Sequence, residues 1–425
     1  MSTSLRTTGP AQRRWVVLLI VWTVFVVHGI DRSIMSVLLE PIRHAFGLSD
    51  SAVGLLVGLG FALPFALAGI PWGAVADRVR RNWLLAGLLA GWSGLTALAG
   101  VAPTYPLLVL ARGCVGAVEA GAPPTMLSLL GDTFDARSRP GALSIYYTAP
   151  FVGLIAGSLI AGHLSQDYGW RAALLAVGLP GLLLAILVVL VLREPARGQV
   201  DQEIVPDGSA SVLEGLRFAM REPELRRLIA ALVLGGFVTL AIASWTPAFL
   251  QRVYGLSQGR SGGLTALAIG LTGGIGSLGG GWLGARLGKG DPARLKRLSG
   301  LAILLATPLA CLAPFQPAPG MALVLLGLWS MVGSAYLGPG WGLAIAATPP
   351  RMRGTVMALA VVLTNLIGAG LGPQSVGLIS DLLARHGDPA HLQHAMSAVS
   401  LVGLLTAGLF LRRSGTARTV PAASA

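Results

Sequence analysis

The sequence has 425 residues, of which 54% are hydrophobic and only 12% charged, and its formal net charge is +13. Soluble domains carry roughly 25% charged residues, so this chain lacks the polar side chains needed to cover a water-soluble globule of its length. Its solvent is therefore lipid, and membrane topology explains the positive charge better than a nucleic-acid partner does.

Apolar runs long enough to cross a bilayer, about 20 residues each, recur along the whole chain. In chain order the predicted spans are Trp15–Leu39, Ser51–Ala76, Asn82–Ala102, Tyr105–Gly131, Gly141–His163, Ala172–Leu192, Leu228–Gln251, Ser261–Ala285, two spans within Leu298–Pro350 that separate at Pro314–Gly320, Gly354–Ser380 and Ala395–Leu411. We number them spans 1 to 12. The sequence thus predicts an all-α integral membrane protein with twelve transmembrane helices.

The distribution of cations predicts how these spans are oriented. With the N-terminus in the cytoplasm and alternating sides, most of the 31 lysines and arginines fall in cytoplasmic segments, as the positive-inside rule requires. The cations left outside are Arg43, Arg171, Arg252, Arg260 and Arg385. We therefore expect both termini in the cytoplasm and a place in the bacterial inner membrane. No cleavage site follows the first apolar run, which predicts a retained helix rather than a signal peptide.

The chain divides into two six-span halves around a polar stretch. We expect an N-terminal bundle at 1–192, a linker at 193–227 and a C-terminal bundle at 228–425. The loop Gly73–Arg81 after span 2 is echoed by Gly281–Lys289 after span 8. A tandem duplication of six spans is a recognised transporter plan, with the substrate site between the halves near mid-membrane.

Ser211–Arg221 in the linker has the spacing of an amphipathic helix. Val212, Leu213, Leu216 and Met220 share one face. Two interpretations are equally open: a helix lying on the cytoplasmic membrane surface, or a solvated linker.

The loop after span 2, Gly73-x-x-x-Asp77-Arg78, resembles the signature of the major facilitator superfamily. Further segments resemble its spinster-like carriers; these are Asp31-Arg32, Arg112–Glu119, Gly169-Trp-Arg171 and Asn365–Pro373. The resemblance implies two pseudo-symmetric six-helix bundles and secondary transport. Animal members of that group export lysolipids and sphingosine phosphate. One departure is Ala285, which replaces the acid expected in the second copy of the loop and makes a second latch doubtful.

Four formally charged residues lie inside predicted spans: Asp31 and Arg32 in span 1, and Arg112 and Glu119 in span 4. Such residues are costly in a membrane unless paired or hydrated, and they are functional candidates by default. Counting along the helices at about 1.5 Å per residue puts Asp31 and Arg112 at similar depth. Burial disfavours an ionised carboxyl group whereas a nearby arginine favours it, so we predict that Asp31 and Glu119 accept protons.

Protonation of either acid frees an arginine, and Arg32 or Arg112 is then able to hold an anionic headgroup through two parallel hydrogen bonds. The resemblance to spinster-like carriers implies the same four positions. The alternative is a permanent salt bridge that only locks spans 1 and 4 together.

Other polar and aromatic residues extend the predicted substrate site. His28, one turn before Asp31, either shares its proton or bonds a neighbouring helix. Tyr147 in span 5 and Trp245 and Asn365 in the C-terminal half are candidate cavity residues, with helix packing as the alternative for each. The second half carries no charge within its predicted spans, so we expect it to accommodate the apolar part of the substrate.

Asp77, Arg78 and Arg81 lie where span 2 leaves the membrane. In the superfamily the matching acid latches the two halves together when the cytoplasmic side is closed, and a helix N-terminus such as that of span 11 favours an acid. We therefore predict a gating role for these three residues. The alternative is an ordinary charged helix end.

The function that follows is proton-coupled transport of an amphipathic, anionic organic molecule or a lysolipid-like lipid. We expect the proton gradient as energy source, no cofactor or metal, no enzyme activity, a monomer, and membrane lipids and the substrate as partners. An uncoupled facilitator of organic solutes is the alternative, followed by a non-transporting membrane sensor. No complete nucleotide-binding loop is present in the sequence, so ATP-driven pumping is unsupported.

Overall fold

The computed structural model describes residues 10–76, 78–135, 138–194, 212–288, 291–349 and 352–412. All the described elements are helices. Those of the first half are Pro10–Val37 (span 1), Leu39–Phe46, Asp50–Val57 and Leu59–Ala76 (span 2), Arg81–Gly100 (span 3), Tyr105–Glu119 and Ala122–Thr133 (span 4), Arg139–Tyr146 and Ala149–Val191 (spans 5 and 6).

The linker helix Val212–Arg221 separates these from the second half. The helices of the second half are Pro223–Tyr254 (span 7), Gln258–Thr265 with π-helix Ala266–Leu271 and Thr272–Gly288 (span 8), Pro292–Leu312 with 3₁₀ turn Ala313–Phe315 (span 9), Pro319–Gly333 with 3₁₀ turn Ser334–Tyr336 and Leu337–Ala346 (span 10), Arg353–Leu363 with π-helix Thr364–Leu371 and Gly372–Arg385 (span 11), and His391–Ser400 and Val402–Leu411 (span 12).

Eleven helical stretches of the described residues are long and apolar enough to cross a membrane. One of them, Ala149–Val191, is 43 residues long, and it turns at Gly169, whose φ of 83° and ψ of 162° are not helical. An extended backbone with positive φ is open to glycine alone at low cost. This stretch therefore holds both span 5 and span 6, and the twelve predicted spans are all present.

The helices extend further than the apolar runs that predicted them. Span 7 begins at Pro223 instead of Leu228, and span 11 continues to Arg385 instead of Ser380. Hydropathy marks only the part of a helix that lies in hydrocarbon, whereas charged turns continue it into the interface. Asp381 consequently lies within span 11.

Each half has its own apolar interior. Two clusters of buried side chains lie entirely within the first half, and a third lies entirely in the second half and linker helix. A fourth cluster joins Leu39 and Val53 of the first half to the interior of the second. The halves are thus separately packed bodies that meet at one end.

Tight backbone contacts mark where the halves meet. A Cβ atom on Gly377 of span 11 would lie 2.3 Å from the Asp50 carbonyl oxygen at the start of span 2. A Cβ atom on Gly262 of span 8 would lie 2.4 Å from the Ser158 carbonyl oxygen of span 5. Only glycine permits these two seams, spans 2 with 11 and spans 5 with 8.

Charged residues close the same end. The Arg252 guanidinium donates to both Asp50 carboxylate oxygens at 2.7 and 2.8 Å and to Glu40 Oε1 at 2.6 Å. The Asp381 carboxylate accepts from the Asp50 and Ser51 N–H groups, both at 2.9 Å, at the N-terminus of span 2. A carboxylate is stabilised there by the helix dipole. We call this end, with Glu40, Asp50, Arg252 and Asp381, the clamped end.

Spans 2 and 11 diverge towards the other end, which we call the open end. Gly54 and Gly58 of span 2 lie against span 11, and span 2 also packs against the π-helix Thr364–Leu371. The first part of span 11, Arg353–Leu363, packs instead on the linker helix and on spans 7 and 10. The described residues therefore form a bundle that is closed at one end and parted at the other.

The linker helix docks on the second half at the open end. A Cβ atom on Gly215 would lie 2.6 Å from the Thr355 side chain at the start of span 11, and Ala219 is buried. Leu216 and Met220 of the predicted apolar face remain 39% and 57% exposed. The helix therefore packs on the second half through Gly215, Ala219 and the partly buried Phe218, whereas Leu216 and Met220 face outwards.

We predict that Arg252→Gln weakens the clamped end while Arg43→Gln does not. Arg43 belongs to the same cluster but pairs, among the residues that the structure describes, only with Glu40 and Asp50 of its own half, which makes it a matched control. Removing one partner of a buried charge pair costs on the order of 2–5 kcal/mol. Thr104 immediately precedes span 4 in the first half, and His386 immediately follows span 11 in the second half. Spin labels on Thr104→Cys and His386→Cys, in a protein with Cys114 and Cys311 replaced by serine, report the separation of the halves at this end.

The expected result is a new population at longer distance in Arg252→Gln alone. Identical distance distributions for the two arginine variants would show that the ion pairs across the halves do not hold them together.

Candidate functional site

Asp31 lies in the interior of the first half with both carboxylate oxygens occupied. It is 1% exposed. Oδ2 accepts a hydrogen bond from Arg112 Nη1 at 2.6 Å, and Oδ1 accepts one from the Thr96 hydroxyl of span 3. The structure thus brings Asp31 and Arg112 together at the common depth that helix geometry predicted. Each oxygen of this carboxyl group therefore faces a hydrogen-bond donor.

Glu119 lies close by in a different environment. Its side chain is fully buried, and neither oxygen receives a hydrogen bond. Its electrostatic neighbours are Asp31, Arg112 and Arg32. An ionised carboxylate without hydrogen bonds is costly in an apolar interior. The two acids are therefore unequal, since both Asp31 oxygens accept a hydrogen bond and neither Glu119 oxygen does.

His28 lies beside Glu119, not beside Asp31 as one of the two predictions for it proposed. Its Nε2 is 3.4 Å from Glu119 Oε2, and its ring meets Trp92 edge-on at 6.3 Å. The reason is that spans 1 and 4 are antiparallel. One turn back from Asp31 in span 1 corresponds to a later position in span 4, where Glu119 follows Arg112.

Arg32 points from the first half to the second. Its Nη2 donates to Asn365 Oδ1 of span 11 at 3.2 Å. Its guanidinium lies over the rings of Phe61 and Phe65, 5.1 and 5.6 Å from their centres, and Arg112 lies 4.4 Å from the centre of the Phe61 ring. Phe61 of span 2 therefore contacts both arginines, and Phe65 contacts Arg32.

Asn365 sits in the π-helical segment Thr364–Leu371 of span 11. Its amide also donates to the Val361 carbonyl oxygen at 3.0 Å. Short π-helical segments inside α-helices often occur at functional sites. The Asn365 amide, which is the neutral partner of Arg32 in the second half, thus lies on an irregular turn.

Trp245 and Tyr147, two further predicted cavity residues, have different environments. Trp245 is fully buried, and its indole N–H donates to the Pro373 carbonyl oxygen at 2.9 Å. In this conformation its polar atom packs span 7 against span 11, which is the alternative that the sequence left open, and its place in the substrate site stays a prediction. Tyr147 is 54% exposed, whereas its neighbour Tyr146 is buried and stacks on Phe25.

The structure describes two of the three predicted gating residues, Arg78 and Arg81. Asp77 lies outside the described residues, and Arg78 is exposed. Arg81 is 1% exposed and pairs with Asp132 at 2.5 Å and Glu194 at 3.2 Å. In this conformation Arg81 joins spans 3, 4 and 6 of one half and makes these contacts within it, so its gating role stays a prediction.

Sequence reasoning missed four residues around the cluster: Thr96, Trp92, Phe61 and Phe65. The two phenylalanines are four residues apart in span 2, so a helical aromatic pair was visible in the sequence. Thr96 and Trp92 gave no signal, since both residue types are common in apolar spans.

Comparison with known proteins places this geometry in context. A family model described as Major Facilitator Superfamily matches residues 21–373. An MFS-type efflux pump of Mycolicibacterium smegmatis is 30% identical over 401 residues, which cover 93% of this chain and 92% of the relative. Protein spinster homolog 1 of Homo sapiens is 31% identical over 408 residues, which cover 90% of this chain and 77% of the relative.

Solved structures give the same picture. A bacterial homologue of the human lysosomal transporter Spinster, in an inward-facing and unoccupied conformation, superposes with a TM-score of 0.86 at 27% identity, covering 94% of this chain and 96% of that one. A D-xylose–proton symporter superposes with a TM-score of 0.72 at 18% identity, covering 93% and 97%. The second likeness concerns the fold alone.

We predict that Gly116→Ala lowers the melting temperature of the purified protein. A Cβ atom at this position would lie 2.5 Å from the Phe61 carbonyl oxygen, so spans 2 and 4 must separate, at a cost of about 1–3 kcal/mol. Gly87→Ala in span 3 is the control, because a Cβ atom there meets nothing within 4 Å and alanine favours a helix. Equal melting temperatures for the two variants would contradict the close approach.

Proposed function

Because this chain belongs to the major facilitator superfamily and to its spinster-like group, we propose that it is a proton-coupled secondary transporter. Its substrate is an amphipathic, anionic organic molecule, with lysolipid-like lipids included in that class. The observation that carries the proposal is the unequal pair of acids, Asp31 and Glu119, buried with two arginines where spans 1, 3 and 4 meet.

The proton-coupling role rests on how the two acids differ. When the environments of two acids push their proton affinities apart, one acid is suited to hold a proton while the other stays ionised. Asp31 has a donor for each oxygen, whereas Glu119 has none. We propose that Glu119 carries the proton in this conformation and that Asp31 is ionised. A proton that moves to Asp31 neutralises its pairing with Arg112 and frees that guanidinium.

The substrate role rests on Arg32 and its surroundings. Its partner in the second half is the neutral amide of Asn365, which an anionic headgroup is able to displace, because charged hydrogen bonds are stronger than neutral ones. Phe61 and Phe65 provide an apolar surface beside the guanidinium. A molecule with an anionic head and an apolar body matches both features.

We propose that the open end faces the cytoplasm of the bacterial inner membrane. Arg78 and Arg81 lie at this end, and a cytoplasmic excess of cations is the usual rule. The clamped end then faces outside, and the arrangement is inward-facing. The superposition with an inward-facing spinster homologue supports this orientation.

An uncoupled facilitator is the second candidate. The observation that favours it is the short contact of 2.6 Å between Arg112 and Asp31, both nearly fully buried, as in a permanent structural salt bridge. The two candidates differ in one measurable property, because only the coupled transporter responds to an imposed pH gradient.

We predict that Asp31→Asn or Glu119→Gln abolishes proton movement coupled to substrate. The amides cannot take up or release a proton at the site, although they retain nearly the same shape. Proteoliposomes with a pH-sensitive dye in the lumen are given a lysophospholipid with a glycerol-phosphate headgroup, and the luminal pH is followed.

The control for this experiment is Asp291→Asn, since Asp291 is an exposed helix cap. We expect the wild type and this control to move protons and the two site variants to show none. Undiminished coupling in both site variants would exclude these acids from proton transport. Lysolipid flux that ignores the pH gradient in the wild type would support the facilitator.

We predict that Arg32→Gln weakens binding of the same lysophospholipid by roughly 10–100-fold, since a hydrogen bond to a charged group contributes about 1.5–3 kcal/mol. Stabilisation of the purified protein against heat, measured over a series of ligand concentrations, gives the change in affinity. Arg260→Gln, an exposed arginine of span 8, is expected to bind like the wild type. Equal binding by both variants would place the headgroup elsewhere.

A further inference from the structure

Thr96 is the neutral residue that contacts the proposed proton-coupling site most directly. It lies in span 3, it is 3% exposed, and its hydroxyl donates to Asp31 Oδ1. The other Asp31 oxygen is taken by Arg112. Of the two groups that donate to the Asp31 carboxylate, Thr96 is therefore the uncharged one.

This hydrogen bond departs from the usual behaviour of threonine in these helices. A helical threonine commonly donates to the carbonyl oxygen four residues back. The other buried threonines of the described residues all do so: Thr125 to Gly121, Thr246 to Ile242, Thr265 to Ser261, Thr307 to Ile303, Thr348 to Ala344 and Thr406 to Val402. Thr96 instead directs its proton to a side chain of another span.

The acceptor explains the difference, because an ionised carboxylate attracts a hydroxyl donor more strongly than a carbonyl oxygen does. When Asp31 takes up a proton, that advantage is lost, and the Trp92 carbonyl oxygen, four residues back, is available to the Thr96 hydroxyl. The hydroxyl thus stabilises one protonation state of Asp31 more than the other.

We propose that Thr96 is a positioning residue that sets the pH at which Asp31 takes up its proton. This inference rests on the proposed proton role of Asp31. The charged groups around Asp31 are Arg112 and Glu119 from span 4 and Arg32 from its own span, and His28 lies one contact further away, beside Glu119. Span 2 contributes the Phe61 ring against Arg112. Replacing Thr96 changes none of these charges.

The test is an infrared pH titration of the purified full-length protein. A protonated carboxyl group has a C=O stretching band that a carboxylate lacks, so the band follows the proton without any need for a substrate. Its loss in Asp31→Asn identifies the contribution of Asp31. Thr96→Val removes the hydroxyl at nearly constant shape, and Thr96→Ser keeps it.

The expected result is a midpoint of the Asp31 band about one pH unit higher in Thr96→Val, equivalent to roughly tenfold tighter proton binding, because the ionised form loses one donor. Thr96→Ser is expected to titrate like the wild type. Thr125→Val is the matched control, since Thr125 is fully buried in the same half but donates only to its own helix. It is expected to leave the midpoint unchanged.

The outcomes separate this inference from the proposed function. An Asp31 band whose midpoint is the same in Thr96→Val and the wild type overturns the role of Thr96 and leaves proton coupling standing. A shift in Thr125→Val as large as that in Thr96→Val also overturns it, because the effect would then be one of general packing. If no titrating band disappears in Asp31→Asn, the proton role of Asp31 fails, and the inference fails with it.

Discussion

A charge in the interior of a membrane protein must find a partner, and the arrangement of the first half follows from that constraint. Asp31 and Arg112 satisfy each other across spans 1 and 4, with Thr96 completing the coordination of the carboxylate. Glu119 has no such donor set. Because both Asp31 oxygens have a hydrogen-bond donor and the Glu119 oxygens have none, the two acids are unequal sites for the proton that we propose this cluster carries. In these apolar surroundings an unpaired charge has a high free-energy cost, so the energy of the cluster depends on which acid holds the proton.

In alternating access, a change in the charged cluster must alter the contact between the two halves. Arg32 is the residue that connects the cluster to that contact. It belongs to the charged half, yet it bonds Asn365 on the π-helical turn of span 11. Further along, spans 2 and 11 meet at the clamped end, where Arg252 and Asp50 pair across the halves. The same two spans part towards the open end. The charged cluster therefore lies between a closed contact and a separated one, on the spans that must move against each other.

The sequence predicted much of this arrangement, because its strongest signals are those that lipid imposes. Twelve apolar runs and the common depth of Asp31 and Arg112 follow from bilayer thickness and helix rise. The partner of His28 was missed, since it depends on the antiparallel offset of two helices. Trp245 kept two open interpretations, because the sequence does not show whether an indole lines a cavity or bonds a carbonyl oxygen. The Asp50–Arg252 pair joins residues about 200 positions apart, and each resembles an ordinary loop charge until the halves are brought together.

The central claim is that protonation of the Asp31–Glu119 pair changes the balance between two arrangements of the halves: the one described above, closed at the clamped end, and one in which the clamped end is open. The most direct measurement is the distance between spin labels on Thr104→Cys and His386→Cys at acidic and alkaline pH, with and without the double substitution Asp31→Asn and Glu119→Gln. The account predicts populations that change with pH in the otherwise unaltered protein and are independent of pH in the double variant. The same pH dependence in both proteins would contradict it.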